Sequence, residues 1–477
     1  MNVGCIMETQ EVVLKNQYIN RTFTISENNF YTSGYTDLRT GHNYAGINSL
    51  EFSFTLNESE ITGRSPFLVV SKPVLSNRED HQKLEVQISG RPGSILDKIE
   101  ITLNYQLYNN SSTIRKWIEI VNKRESDLEI QNLYWEDLII NPGNYSGVDI
   151  YGEYGRVWKK PPFTGGKDDP AILVMGSEGQ FILGNESPGM MKQTHVFQET
   201  ERIAIGLTNQ QDKYAFRRVM KGNESFTSPK SFIILCKRKA PEVLFEEDLG
   251  EFIRKHMGVK LFKRDAPPLF MYNTWNPFRI NIDEKMIMDI ADALEGTGVE
   301  YLIIDDGWQD FNGDWNVHKE KFPNGLKPVS DYIRSKGMKP GCWISLTIAQ
   351  KESEAFNIYK DFAVKDIDEN PANLHGWSNN FNILTMNIVS PWYEIIKEKV
   401  FKLVRNQGMR YLKIDLAMVK SAYIMEQERS GTHDATNLYS GREDFLLKSF
   451  ERINVLFDSM AIEFPDLIID CTFELWG

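Results

Sequence analysis

The chain lacks the patterns that announce metal, disulfide, membrane or nucleic-acid chemistry. Its four cysteines, Cys5, Cys236, Cys342 and Cys471, lie far apart with no C-x-x-C pair, and so signal neither a disulfide framework nor a zinc cluster. Its seven histidines are scattered, and no His-x-His or His/Glu cluster accompanies the acidic groups. No metal and no cofactor is expected. Net charge is −12 without a lysine or arginine run, whereas a phosphate backbone needs a positive stripe. DNA and RNA are therefore not expected partners. No stretch approaches about 18 consecutive apolar residues. Met1 to Gln10 also has no basic start followed by an apolar core. The expectation is a cytoplasmic protein with no membrane partner. No Gly-x-Gly-x-x-Gly follows any strand pattern, which argues against a dinucleotide site.

What is present is a long chain of ordinary globular composition. Its 477 residues suggest about three domains at roughly 150 residues each. Near residue 250 its character changes. Up to about Lys239 it consists of short β-prone runs, such as Ser49 to Leu56, Lys98 to Tyr105 and Ser231 to Cys236, separated by turn residues such as Arg91-Pro92-Gly93 and Asn141-Pro142-Gly143. That pattern predicts an antiparallel β-sandwich over residues 1–250. Tyr151 to Trp158, followed by Lys159-Lys160-Pro161-Pro162, is rich in glycine, proline and aromatics and reads as a long loop.

Residues 251–477 alternate strand and amphipathic helix. Strand candidates are Phe270 to Thr274, Tyr301 to Ile304, Lys339 to Ile344, Ile383 to Met386, Tyr411 to Ile414 and Leu467 to Ile469. Asp283 caps a helix that presents Met286, Ile287, Ile290, Ala291 and Leu294 on one face. Ser390-Pro391 opens a second, stopped by Gly408, and Leu446, Phe450, Ile453, Phe457 and Met460 mark a third. Such alternation implies a parallel sheet with crossover helices. Polar residues fall at the C-terminal ends of nearly every strand, where a (β/α)8 TIM-type barrel builds its site. The fold expected is thus multidomain, β followed by α/β, with about six of the eight barrel strands before Gly477.

The chemistry gathers at those strand ends. Tyr411, Lys413 and Asp415 share one face of a strand, so an ammonium lies beside a carboxylate that stays ionised. By itself a Lys-x-Asp pair is more often structural than catalytic. Asp305-Asp306-Gly307-Trp308 ends the second strand, and Gly307 permits a turn that could bring both carboxylates to the mouth. Two acids, a tryptophan and a lysine suit a sugar, which offers hydroxyls on its rim and an apolar ring face, and Trp343 at the end of the third strand fits barrel wall and sugar platform equally well. Loop packing accounts for most of Asp314 to Leu326. Asp470, Cys471 and Glu474 end the last strand.

Taken in order, Asn273-Thr274-Trp275, Asp305-Asp306-Gly307-Trp308, Gly313-Asp314-Trp315, Lys321-Phe322-Pro323-Asn324-Gly325-Leu326, Gly337-Met338-Lys339-Pro340-Gly341 and Lys413-Ile414-Asp415 resemble glycoside hydrolase family 36, the α-galactosidases and their relatives. The resemblance implies that Asp415 is the nucleophile of a retaining hydrolysis of terminal α-galactosides. Lys413, Asp305 and Asp306 would bind ring hydroxyls, Trp275 would line the pocket, and Cys471 would keep a hydroxyl-binding cysteine. It implies no cofactor, and homo-oligomers as a family habit. Two departures bear on the substrate. The family's Ser-Cys, glycine run and Arg-x-Asp are replaced by Asp470-Cys471-Thr472-Phe473-Glu474-Leu475-Trp476-Gly477, so that the acid/base aspartate is expected beyond Gly477, with Glu474 as the fallback within the chain. An arginine the family often places before the fourth strand is absent from Asn379-Asn380-Phe381-Asn382. The alternatives implied are an α-N-acetylgalactosaminidase, a galactosyl transferase of the same family, and a non-catalytic sugar-binding protein.

Overall fold

The computed structural model describes residues 9–26, 28–143, 147–153, 157–159, 170–187, 192–207, 216–258, 268–365, 370–371, 382–415 and 442–471. The chain divides into two compact units, Met1–Phe262 and Lys263–Trp476.

The first unit is antiparallel β throughout its described strands. A three-stranded sheet (Gln10–Lys15, Ile19–Ser26, Asn29–Asp37) accompanies an eleven-stranded and a six-stranded sheet. Period-two burial explains the strands. In Ile99–Tyr108, Ile101, Leu103, Tyr105 and Leu107 are buried while Glu100, Thr102 and Gln106 are half-buried, and the strand pairs on one side with His81–Gly90 and on the other with Thr113–Asn122. The segment read from sequence as a long loop differs: Asp149–Glu153 is a strand, bonded to Ala171–Met175 on one side and Val157–Lys159 on the other. Tertiary pairing overrides local composition there, since Ile150 and Gly152 meet Val174 and Ile172 of a buried strand. Lys160 to Pro162 lie outside the described residues.

Between the sheets lies a charge cluster sealed from water. Arg21 Nη2 donates to Glu51 Oε1 at 2.8 Å and to Glu136 Oε1 at 2.9 Å, and Lys116 Nζ to the same two oxygens at 2.9 and 3.2 Å. Tyr105 Oη donates to Glu51 Oε1 at 2.7 Å, and Thr32 donates its N–H and its hydroxyl to Oε2 at 2.8 and 2.7 Å. Two cations and two anions balance, and the rings of Phe23, Tyr35 and Tyr105 lie within 5.1 to 5.3 Å of the Arg21 guanidinium. The four groups come from strands of all three sheets. Burial alone pushes the Glu51 carboxyl up, but Lys116, Arg21 and the Tyr105 hydroxyl outweigh it and hold the group at about 2.

The second unit carries a five-stranded parallel sheet in the order Met271–Asn273, Tyr301–Ile304, Lys339–Ile344, Tyr411–Ile414, Ile468–Cys471. The helices start where the sequence says. Asp283 Oδ1 accepts from Met286 N at 2.8 Å to open Glu284–Leu294, and Ser390 Oγ accepts from Trp392 N at 3.2 Å to open Trp392–Arg405. Arg442–Glu463 buries Phe450, Ile453 and Met460. One strand assignment is corrected. Ile383–Thr385 is not in the parallel sheet; it pairs antiparallel with Ile348–Gln350. Both edges of Lys339–Ile344 are already taken, by Tyr301–Ile304 and by Tyr411–Ile414, which leaves no place between them. A short apolar run cannot reveal which sheet it joins.

The charge cluster sets a pH dependence. Because Glu51 has a lower pKa folded than the 4.5 of an ordinary glutamate, its contribution is complete above pH 4.5 and is lost as pH falls towards about 2. Glu51→Gln leaves one carboxylate, Glu136, to balance both Arg21 and Lys116 and should cost about 3 to 5 kcal/mol at neutral pH. Urea unfolding across this window should show a shallower acid decline in the variant than in the wild type, and parallel declines would disprove the assignment.

Candidate active site

Asp305 organises the mouth of the parallel sheet. It follows Tyr301–Ile304, whose four residues are all buried, and is itself only 1% exposed. A carboxylate so far from water must be supplied with donors. Lys413 Nζ and Asn273 Nδ2 reach Oδ2 at 2.9 and 2.7 Å, and Asp306 N reaches Oδ1 at 2.9 Å. The backbone behind it is also fixed, with Asp305 N donating to Thr274 Oγ1 at 2.9 Å. Three strands are thereby tied at their C-terminal ends.

Sheet register brings these groups together. Ile304 pairs with Cys342, Trp343 with Lys413, and Lys413 with Asp470, so Asp305, one step past Ile304, stands level with the lysine two strands away. The strand between them carries Gly341 beneath. A Cβ there would lie 2.8 Å from Tyr411 Cβ and 3.1 Å from Ile303 Cγ1, so the absent side chain lets the neighbouring strands converge over it. Below, Tyr301, Ile303 and Tyr411 pack into one apolar layer with Leu269 and Ile468.

The sequence suggests Lys413 and Asp415 as partners. The structure ranks them differently: Lys413 Nζ is 3.6 Å from Asp415 Oδ2, beyond hydrogen-bond distance, and its bond goes to Asp305. Asp415 Oδ2 also accepts from the Trp343 indole at 3.2 Å. Trp343 is 2% exposed, so it is wall with a polar handle on the carboxylate, not an open platform. Its neighbours complete an aromatic floor, with Trp315 at 5.5 Å and Trp308, whose Nε1 donates to Trp343 O at 2.9 Å.

Past Asp306 the chain turns at Gly307, whose φ is 115°, and any Cβ there would meet Ile280 O at 2.6 Å. Asp306 Oδ1 accepts from Gln309 Nε2 at 2.6 Å. Burial pushes its carboxyl up and the charge of Asp305 adds to this, while Gln309, the Gly307 N–H and Lys321 oppose it. Trp275 starts the helical turn Trp275–Phe278, half-buried, with the Arg279 guanidinium 4.9 Å from its ring. Cys471 follows Asp470, and burial together with the Asp470 charge holds its thiol up at about 12, a neutral donor at working pH. Asp470 itself accepts from Tyr411 Oη at 2.6 Å. Asp314 is structural: its carboxylate accepts from Glu354 N and Ala355 N at 3.0 and 2.7 Å, at the start of Glu354–Tyr359. Asn379 to Phe381, Thr472, Phe473 and Glu474 lie outside the described residues.

Gln309 is the site's unforeseen support, while Asn273 and Tyr411 are marked in the sequence without a bonding role. Gln309 has only its three-residue spacing from Asp306 to betray it. Asn273 and Tyr411 could have been inferred from their strand register alone.

The model of the family described as Melibiase matches residues 225–472, just over half of the chain. This chain belongs to the melibiase family. It is 23% identical to Alpha-galactosidase Mel36A of Lactobacillus acidophilus over 67% of this chain and 46% of that protein, and 21% identical to Alpha-galactosidase AgaA of Geobacillus stearothermophilus over 61% and 42%. The chain thus spans under half the length of these curated relatives. The solved structure of the GH36 α-galactosidase AgaB from Geobacillus stearothermophilus superposes with a TM-score of 0.75 at 17% identity, covering 98% of this chain and 72% of that one; AgaA gives 0.74 at 16%, covering 97% and 72%. At such identity the likeness establishes the fold of this melibiase-family chain.

Removing the ammonium tests the geometry. Lys413→Met strips a buried carboxylate of its charged donor and should cost about 3 kcal/mol or more in urea unfolding. Adding Asp305→Asn should recover a substantial part of the loss, and a purely additive double-mutant cycle would show that the two groups are not coupled.

Proposed function

We propose that this chain carries the sugar-binding and nucleophilic side of a retaining glycoside hydrolase that releases terminal α-linked galactose. The observation that carries the reading is the convergence of Asp305, Lys413, Trp343 and Asp415 at one sheet mouth in a melibiase-family chain. Structures of AgaA variants in complex with stachyose and with raffinose give the substrate class its support. The five parallel strands are read as part of a (β/α)8 barrel.

On this reading Asp305 and Asp306 accept sugar hydroxyls. Lys413, anchored on Asp305, donates to a hydroxyl and keeps Asp415 ionised through the 3.6 Å approach. Trp275 borders the ring, Trp343 steadies Asp415 through its indole N–H, and Cys471 meets the sugar as a thiol. Asp415 attacks the anomeric carbon as the bond to the leaving oxygen breaks, and an acid protonates that oxygen. The deprotonated acid then takes a proton from water, which attacks the same carbon, breaks the ester to Asp415 and releases galactose with its configuration retained. The acid is a second carboxyl group, and retention demands that it stand about 5 to 5.5 Å from that of Asp415.

A nitrophenyl α-galactoside relieves the first step of its need for an acid, because nitrophenolate is a good leaving group, while release of galactose still draws on the base. The protein should hydrolyse it in preference to the N-acetylated analogue, releasing the α anomer first by proton NMR. Asp415→Asn should lower kcat by at least about a thousandfold while galactose still binds. Undiminished turnover in that variant would overturn the mechanism.

A further inference from the structure

Gln309 directs every polar atom of its side chain at one arm of the site. It is 7% exposed. Nε2 donates to Asp306 Oδ1 at 2.6 Å and to Asn312 Oδ1 at 3.0 Å, and Oε1 accepts from Gly307 N at 3.2 Å. Asn312 is fixed in its turn, its N donating to Gln350 Oε1 at 2.7 Å and its O accepting from Gln350 N at 2.9 Å. Gln350 closes Ile348–Gln350, the strand paired with Ile383–Thr385. A relay of amides therefore runs from that antiparallel pair to a single oxygen of Asp306. Reversing the Gln309 amide would set an oxygen against the carboxylate and an NH₂ against the Gly307 N–H, so the relay has only one sense.

We propose that Gln309 is a positioning residue, whose N–H holds the Asp306 carboxylate in its charged, hydroxyl-accepting form and in one orientation. The sugar-facing role of Asp306 rests on the galactoside reading; the action of Gln309 on Asp306 does not. Asp306 needs such a donor because its surroundings favour the neutral acid, through burial first and the adjacent Asp305 charge next. The other charged groups are committed elsewhere. Lys321 Nζ donates to Ile280 O and Gly307 O at 2.8 and 3.1 Å, and Lys413 is bonded to Asp305. A neutral carboxylic acid at Asp306 would present a proton where the sugar presents its own.

The test titrates the Asp306 carboxyl by carbon-13 NMR in wild type, Gln309→Met and Gln309→Glu, with Asp306→Asn to assign the signal. Losing a hydrogen bond to a charged group should raise the midpoint by about one to two pH units in Gln309→Met. Gln309→Glu should raise it at least as far, so either folded variant suffices. Galactose affinity by calorimetry should show its acid limb displaced upward by the same interval, with a smaller deficit at pH 8 than at pH 5, a pattern that a general loosening of the loop does not produce. An unmoved midpoint overturns the proposal. Absence of galactose binding by the wild type at every pH would overturn the galactoside reading instead, and the carboxyl titration would still decide the part played by Gln309.

Discussion

A carboxylate taken out of water is the constraint around which the second unit is arranged. Asp305 can be buried only because Lys413, Asn273 and the Asp306 N–H donate to its oxygens. Those donors come from different strands, so the requirement fixes register and curvature together. Gly341 lets the flanking strands approach, Trp343 takes the space above it, and its indole N–H then falls on Asp415. The position of Asp415 is a consequence of how Asp305 is satisfied. An apolar residue at 305 would remove the desolvation problem, and with it the reason for Lys413 to lean towards the second strand.

The same physics recurs in the first unit. Arg21, Lys116, Glu51 and Glu136 form a neutral quartet whose Coulomb attraction outweighs the desolvation of Glu51. Buried quartets of this kind contribute little more than apolar packing would while intact, but are costly to break. Their geometric demand is strict, and this one draws on strands of three sheets. The two units thus use charge burial for different ends. In the first every oxygen and nitrogen looks inward, whereas in the second Lys413 and Asp415 keep part of their surface open at the mouth.

Much of the site was legible from residue order. Asp305, Asp306, Lys413 and Asp415 stand at strand ends because parallel strands present their C-terminal edges on one side. Helix starts were legible too, since Asp283 and Ser390 act within a few residues of their own position. The misreadings share a cause. Ile383 to Met386 looks like any apolar strand, and whether it enters the parallel sheet depends on which edges are free. Tyr151 to Trp158 looks like a loop until Ala171–Met175 offers it an edge. Both are decided by partners far away in the chain.

The sequence by itself determined the inventory: which strands end in acids, which helices begin where, which side chains share a strand face, and the family to which that order belongs. These follow from period-two and period-3.6 geometry and from capping, all of which act over a few residues. Only the tertiary structure decided who bonds to whom. Lys413 is two residues from Asp415 in the chain, yet its hydrogen bond is to Asp305, 108 residues away, because a half-open carboxylate can rely on water and a buried one cannot.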